Sequence, residues 1–133
     1  MRFRKNEDFA LLLMGELTRH PGQRVTVAHI ARTHGVSVPF LKKIVRNLRQ
    51  AGLVRSKEGA TGGYLIARNP RRISVWDVLD AVASGQAHTP AAYHAPHACP
   101  VHEHCLPQTI RSRVRGIMET ELRALSLHDL VRS

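Results

Sequence analysis

Residues 36–66, VSVPFLKKIVRNLRQAGLVRSKEGATGGYLI, decide how the rest of the chain is read. Val36, Phe40, Ile44, Leu48 and Leu53 recur at close to helical spacing and make one apolar stripe. Ser37 stands just before it, where a hydroxyl can cap the first amides, and Pro39 falls in the first turn, where a missing N–H costs nothing. The polar side carries Lys42, Lys43, Arg46, Asn47, Arg49 and Gln50. Gly52 stops the helix. Leu53 and Val54 open a strand, Gly59, Gly62 and Gly63 supply a turn, and Tyr64 to Ala67 runs back. The spacing therefore predicts a basic helix over residues 37–50 followed by a glycine-tipped hairpin, the plan of a winged helix-turn-helix.

That plan suits double-stranded DNA. A helix fits the major groove and holds side chains against base edges, while its Lys and Arg residues neutralise phosphates and release counterions. Candidate contacts are Ser37, Pro39, Lys42, Lys43 and Arg46 on the helix, with Arg55, Lys57, Gly59 and Thr61 on the wing. The competing reading is a solvated basic helix beside an ordinary hairpin.

Upstream, residues 7–20 predict a first helix, with Phe9, Leu12, Leu13 and Leu17 on its apolar side and Glu7 and Asp8 in the first turn, where negative charge favours the dipole. Residues 26–34 predict a short second helix capped by Thr26, with Val27, Ile30 and Ala31 inward and His29 and His34 on the surface. Gly35 makes the turn into the basic helix. Arg68 to Arg72 is a basic connector that either touches phosphate or is a solvated turn. Ser74 then caps a helix from about Trp76 to Ala83, with Trp76, Val78, Leu79 and Val82 in the core. Near the end, Ile110, Val114, Ile117, Met118, Leu122 and Leu125 follow helical spacing over residues 108–125. That stripe is too apolar for a lone exposed helix, so it calls for a partner.

Composition narrows the partners. The chain has 133 residues, with 20 Lys and Arg against 10 Asp and Glu, a formal charge of +10 and a pI near 11.0. Such a balance favours a polyanion, and the lack of a long apolar run sets nucleic acid ahead of membrane. MRFRKNEDF is not the start of a secretory signal, so a cytoplasmic protein is expected, with its two cysteines not locked in a structural disulfide. No HExxH motif, phosphate loop or paired acid–base constellation points to an enzyme or a small-molecule substrate. An electron carrier or a metal-storage protein would leave the helix-turn-helix and the basic charge without a purpose.

Residues 84–107 differ in kind. They hold five of the nine histidines (His88, His94, His97, His102 and His104) and both cysteines, Cys99 and Cys105. Thiolates beside imidazoles suit a metal or cluster site, or a thiol switch whose histidines assist thiolate formation. A polar loop with incidental histidines is the bland alternative.

The stretches HGVSVPFLKKIVRNLRQAGLV, GATGGYLIAR and ISVWDVLDAV resemble the IscR/NsrR (Rrf-two) family of bacterial winged-helix repressors, and the resemblance runs from MRFRKNEDFAL to LHDLV. It implies a mainly α fold with a small β-hairpin, in three parts: residues 1–83 as the winged helix-turn-helix, 84–107 as a Cys/His-rich sensor loop, and 108–133 as a dimerisation helix and tail. It implies a homodimer on a near-palindromic DNA operator. It also implies an iron–sulfur cluster of the two-iron, two-sulfide type.

The match departs from the family at informative places. Lys42 and Lys43 replace a glutamate and a glutamine of the biogenesis member, which implies a different operator preference, and Glu58 replaces an arginine. Cluster-binding members carry three cysteines in the loop; here Tyr93 stands at the first place and Gln108 at the place of a histidine ligand. The resemblance therefore implies an unusual set: Cys99, Cys105, His94 beside the vacant place, and Asp8 from the partner chain, as in the nitrite-sensitive branch. His97, His102 and His104 are weaker candidates. Zinc held by the two cysteines and two histidines, or a reversible thiol switch, remains the alternative.

Overall fold

The computed structural model describes residues 3–57, 62–83 and 106–132. Among these residues, six α-helices, a two-stranded hairpin and one 3-10 turn follow in the order α1 (Lys5–Arg19), α2 (Val27–His34), α3 (Val38–Gln50), β1 (Val54–Ser56), β2 (Tyr64–Ile66), the 3-10 turn (Pro70–Arg72), α4 (Val75–Val82), α5 (Leu106–Ala124) and α6 (Leu127–Arg132). The fold is thus mainly helical with a small antiparallel hairpin, as the sequence predicts.

Short polar side chains set the helix starts. Thr26 accepts from the His29 N–H at 3.1 Å and Ser37 from the Phe40 N–H at 3.3 Å. Ser74 and Asp77 exchange bonds as a capping box, at 3.1 and 2.9 Å. At the start of α1, Glu7 accepts the Arg4 N–H at 2.8 Å although its side chain is only 1% exposed. The sequence reading places Glu7 in the first turn, where it favours the dipole, and the structure adds that it is a buried partner of the helix end.

The core gathers Ala10, Leu13, Met14 and Leu17 of α1, Val27, Ile30 and Ala31 of α2, and Leu41, Ile44, Val45 and Leu48 of α3. Val78 and Val82 of α4 and Leu127 of α6 close it. On α1 the buried side is rotated from the predicted one, because Leu12 is 41% exposed while Ala10 and Met14 are fully enclosed. Trp76 is buried, with the Arg123 guanidinium 5.5 Å from its ring centre.

The hairpin pairs Val54 with Ile66, Arg55 with Leu65 and Ser56 with Tyr64. Val25 and Tyr64 exchange backbone bonds at 3.1 and 2.9 Å, which ties the hairpin to the chain before α2. Gly63, at φ +138°, passes so close that a Cβ would lie 3.0 Å from that of Arg24. Ser74 and Ser126 form a similar single bridge that joins the starts of α4 and α6. Among the described residues no helix is long and apolar enough to cross a membrane.

Candidate nucleic-acid interface

The rotation of α3 is fixed from inside. Leu41, Ile44, Val45 and Leu48 are each 2% exposed or less, so the remaining positions turn outward. Lys42, Lys43, Arg46 and Arg49 are all exposed, and α3 contains no acidic residue. Ser37 and Pro39 are exposed at its start. A row of exposed cations on a helix that carries no acidic residue, beside a capped helix start, is a surface that can enter a groove and neutralise phosphate.

The far end of α3 is closed firmly. Gly52 adopts φ +75°, its N–H reaches Arg49 O at 2.9 Å, and the Leu53 N–H reaches Leu48 O at 3.0 Å. These are the two bonds of a Schellman stop, and the left-handed residue they require is why a glycine sits there. The Arg68 Nη2 donates to Ala51 O at 3.2 Å, adding a cation at the negative end of the helix. Arg68 thus caps α3, a role that connector composition alone does not reveal.

The turn between α2 and α3 uses Gly35 at φ +63°, and the Val36 N–H bonds Ala31 O at 3.0 Å. His34, expected on the surface, is half-buried: its ring meets Phe9 edge-on at 6.3 Å, and its Nε2 is enclosed with no hydrogen-bond partner among the described residues. Phe9 comes from α1, far away in sequence, so no local pattern announces this contact.

On the wing, Arg55 and Lys57 are exposed. Gly59 and Thr61 lie outside the described residues, as does Glu58. The start of α1 adds what the sequence reading missed. Arg4 and Lys5 line a cleft of about 310 Å³ together with Lys43 and Asn47 of α3. The basic run at residues 2–5 was the available signal.

Comparison with known proteins places this geometry. The model of the family named Rrf2, described as an iron-dependent transcriptional regulator, matches residues 3–133. The chain belongs to the Rrf2 family of transcriptional regulators. It is 36% identical over 110 residues to protein rrf2 of Nitratidesulfovibrio vulgaris, covering 83% of this chain and 73% of that one. Its fold matches the T. potens IscR structure with a TM-score of 0.78 and 26% identity, covering 99% of this chain and 87% of that one. It matches CymR, the global cysteine regulator of B. subtilis, with a TM-score of 0.79 and 26% identity over 99% of this chain and 97% of that one. These relatives are regulators of transcription, not enzymes.

Of the candidate metal donors, Asp8 lies among the described residues. Asp8 is exposed on α1, at the edge of a groove of about 540 Å³ that it lines with Phe9, Leu12, Leu127 and Leu130. Cys99, Cys105, His94, His97, His102 and His104 lie outside the described residues. Among the described residues no group of three or more His, Cys, Asp or Glu side chains could hold a metal ion.

Proposed function

We propose that this Rrf2-family chain is a homodimeric repressor. Its grip on a near-palindromic site in double-stranded DNA is set by a group held in the Cys/His-rich segment. The observation that carries the DNA reading is the outer side of α3, with four exposed cations and no carboxylate on a helix locked by its buried side. Ser37, Pro39, Lys42, Lys43 and Arg46 are its assigned contacts. Arg55, Lys57, Gly59 and Thr61 serve the wing. Lys42 donates to guanine acceptors, which favours G-containing half-sites.

The homodimer is supported by α5, whose Ile110, Val114 and Ile117 are exposed at 58%, 41% and 62%. An apolar row of that kind on a soluble chain calls for a second surface, and self-association supplies a symmetric one.

The chemistry of the donors fits an iron–sulfur cluster: Cys99 and Cys105 as thiolates, His94 as an imidazole and Asp8 as a carboxylate from the partner protomer. Such a cluster would supply one-electron chemistry and reactivity toward oxygen or nitric oxide. The residues of the chain do the rest. Cys105 directly precedes Leu106, the first residue of α5, so a change in what the two cysteines hold acts at the head of the helix that pairs the protomers. The spacing of the two α3 helices then shifts, and DNA affinity follows through the difference between two dimer geometries.

A second reading is favoured by the cysteine count, two rather than three. Zinc on Cys99, Cys105 and two histidines, or a thiol pair that is oxidised and reduced, would act on the same element.

The deciding experiment is a visible spectrum of protein purified without oxygen, with iron, sulfide and zinc assayed on the same sample and DNA binding followed by anisotropy. Visible absorption with matching iron and sulfide, lost in Cys99→Ala and Cys105→Ala together with the ligand-dependent change in DNA binding, is the expected result. A colourless sample holding zinc selects the second reading. If both variants keep the chromophore and the ligand-dependent response, the assignment of the cysteines is wrong.

A further inference from the structure

Arg4 and Lys5 are cations at the positive end of a helix. Arg4 is the cap residue of α1 and Lys5 its first residue, and both are exposed. The dipole disfavours positive charge at this end, so helix stability does not explain the placement. The cleft they line offers an explanation. Its other wall is the outer side of α3, with Lys43 and Asn47, and among the described residues no carboxylate lines it. The basic depression on the other flank of the molecule differs. There Arg71 and Arg72 face Asp77 and Asp129, which already answer much of their charge.

The joint that carries these cations is rigid. The Asn6 Nδ2 donates to Val82 O at 2.9 Å, which pins the first turn of α1 to the end of α4. The Lys5 Nζ sits 5.2 Å from the centre of the Phe40 ring, in the first turn of α3. The Arg4 backbone is held by Glu7 at 2.8 Å. Three cations are therefore presented together along the border between α1 and α3.

We propose that Arg4, Lys5 and Lys43 form a clamp for a backbone phosphate of duplex DNA, with the Asn47 amide as a neutral donor. The clamp lies on the flank of the groove that α3 enters. This rests on the reading of α3 as the DNA-contacting helix. A guanidinium offers paired donors to phosphate oxygens and an ammonium a point charge, so the set matches a phosphate on chemical grounds. Phosphate contacts fix register without reading sequence, which makes these residues positioning residues for α3.

The test uses the full chain and a mixed-sequence duplex, with anisotropy titrations over a salt series. Each neutralised phosphate contributes about 0.9 to the slope of log affinity against log salt. With one clamped phosphate for each protomer of the proposed homodimer, R4A/K5A should flatten that slope by about 2 in all and weaken binding roughly tenfold or more at low salt. R4Q/K5Q, which keeps the stem over Phe40, should behave the same way, and R4K/K5R should restore the slope. R71A/R72A, an equal loss of charge elsewhere, should leave it unchanged. If R4A/K5A and R4Q/K5Q keep the wild-type slope, or if R71A/R72A flattens it equally, the clamp is wrong. In that case the reading of α3 stands as long as Lys42→Ala weakens binding. If the wild-type chain binds no duplex at low salt, both readings fall together.

Discussion

In α3 the apolar side is Leu41, Ile44, Val45 and Leu48, at 1%, 2%, 1% and 0% exposure; in α5 it is Ile110, Val114 and Ile117, at 58%, 41% and 62%. Both helices carry arginines on their other side, and both are amphipathic by pattern. One chain is enough to bury the first stripe. The second stripe, among the described residues, is left largely in the open, with Met118, Leu122 and Leu125 half-covered. The lesson is a division of labour: a single protomer builds and orients the surface proposed to contact DNA, whereas the distance between two such surfaces is left to the proposed homodimer.

That contrast can be broken at either helix. Leu48→Ala should cost about 2–5 kcal/mol of folding stability, because a fully enclosed side chain leaves a cavity in a close-packed core. Denaturant unfolding at fixed protein concentration checks it, with far-UV dichroism as the probe. Ile117→Glu should act differently. Removing one buried isoleucine per protomer from a symmetric interface costs about 3 kcal/mol or more across the pair, roughly a hundredfold or more in the dimer dissociation constant. Sedimentation velocity over a concentration series reads it, while the fold of each protomer persists. A variant that stays dimeric at low concentration would show that the open stripe of α5 is not the seam.

The smallest effect sits where α5 gives way to α6. The Ser126 hydroxyl and amide both bond the Asp129 carboxylate, at 2.7 and 3.2 Å. The hydroxyl first, then the amide, hold the Asp129 carboxyl below the ordinary carboxylate range, with His128 and Arg71 assisting. A carboxyl depressed in the folded state adds stability above its unfolded value and loses it as pH falls through the folded one. The contribution is therefore present at neutral pH and disappears on acidification below about pH 4. Asp129→Asn should remove that acid-dependent component and slightly lower the melting temperature at pH 7. Equal pH profiles for the two proteins would dismiss it.

Much of the fold is legible in the sequence because its boundaries are set by single residues acting on their neighbours. Ser37, Thr26 and Ser74 cap, and Gly52 and Gly35 stop, through contacts no more than a few positions away. What local reasoning loses is contact between distant segments. The width of the buried side of α3, where Leu41 and Val45 join Ile44 and Leu48, depends on α1 and α4 packing over it from two directions. Phe9 covers His34, and Arg68 caps α3 from 17 positions away. At the candidate interface, Lys42, Lys43 and Arg46 are readable because an apolar period on one side leaves the other to solvent. Arg4 and Lys5 are not, because only the folded joint of α1 with α3 brings them beside Lys43. The candidate metal donors, apart from Asp8, fall in residues 84–105, which the structure does not describe.

The bridge between Ser74 and Ser126 has a mechanical consequence. It fastens the exit of α5 to the entrance of α4, through Val75 N–H to Leu125 O and Leu127 N–H to Ile73 O, each at 2.9 Å. With Arg123 lying over Trp76 just before it, the C-terminal end of α5 acts as a fulcrum. The helix of 19 residues is then a lever about 28 Å long. A tilt of roughly 10° about that fulcrum carries the Leu106 end about 5 Å, close to one helical turn. Under the proposed function, leverage of this kind would convert a displacement at the Leu106 end into a fine adjustment of angle at the body that bears α3.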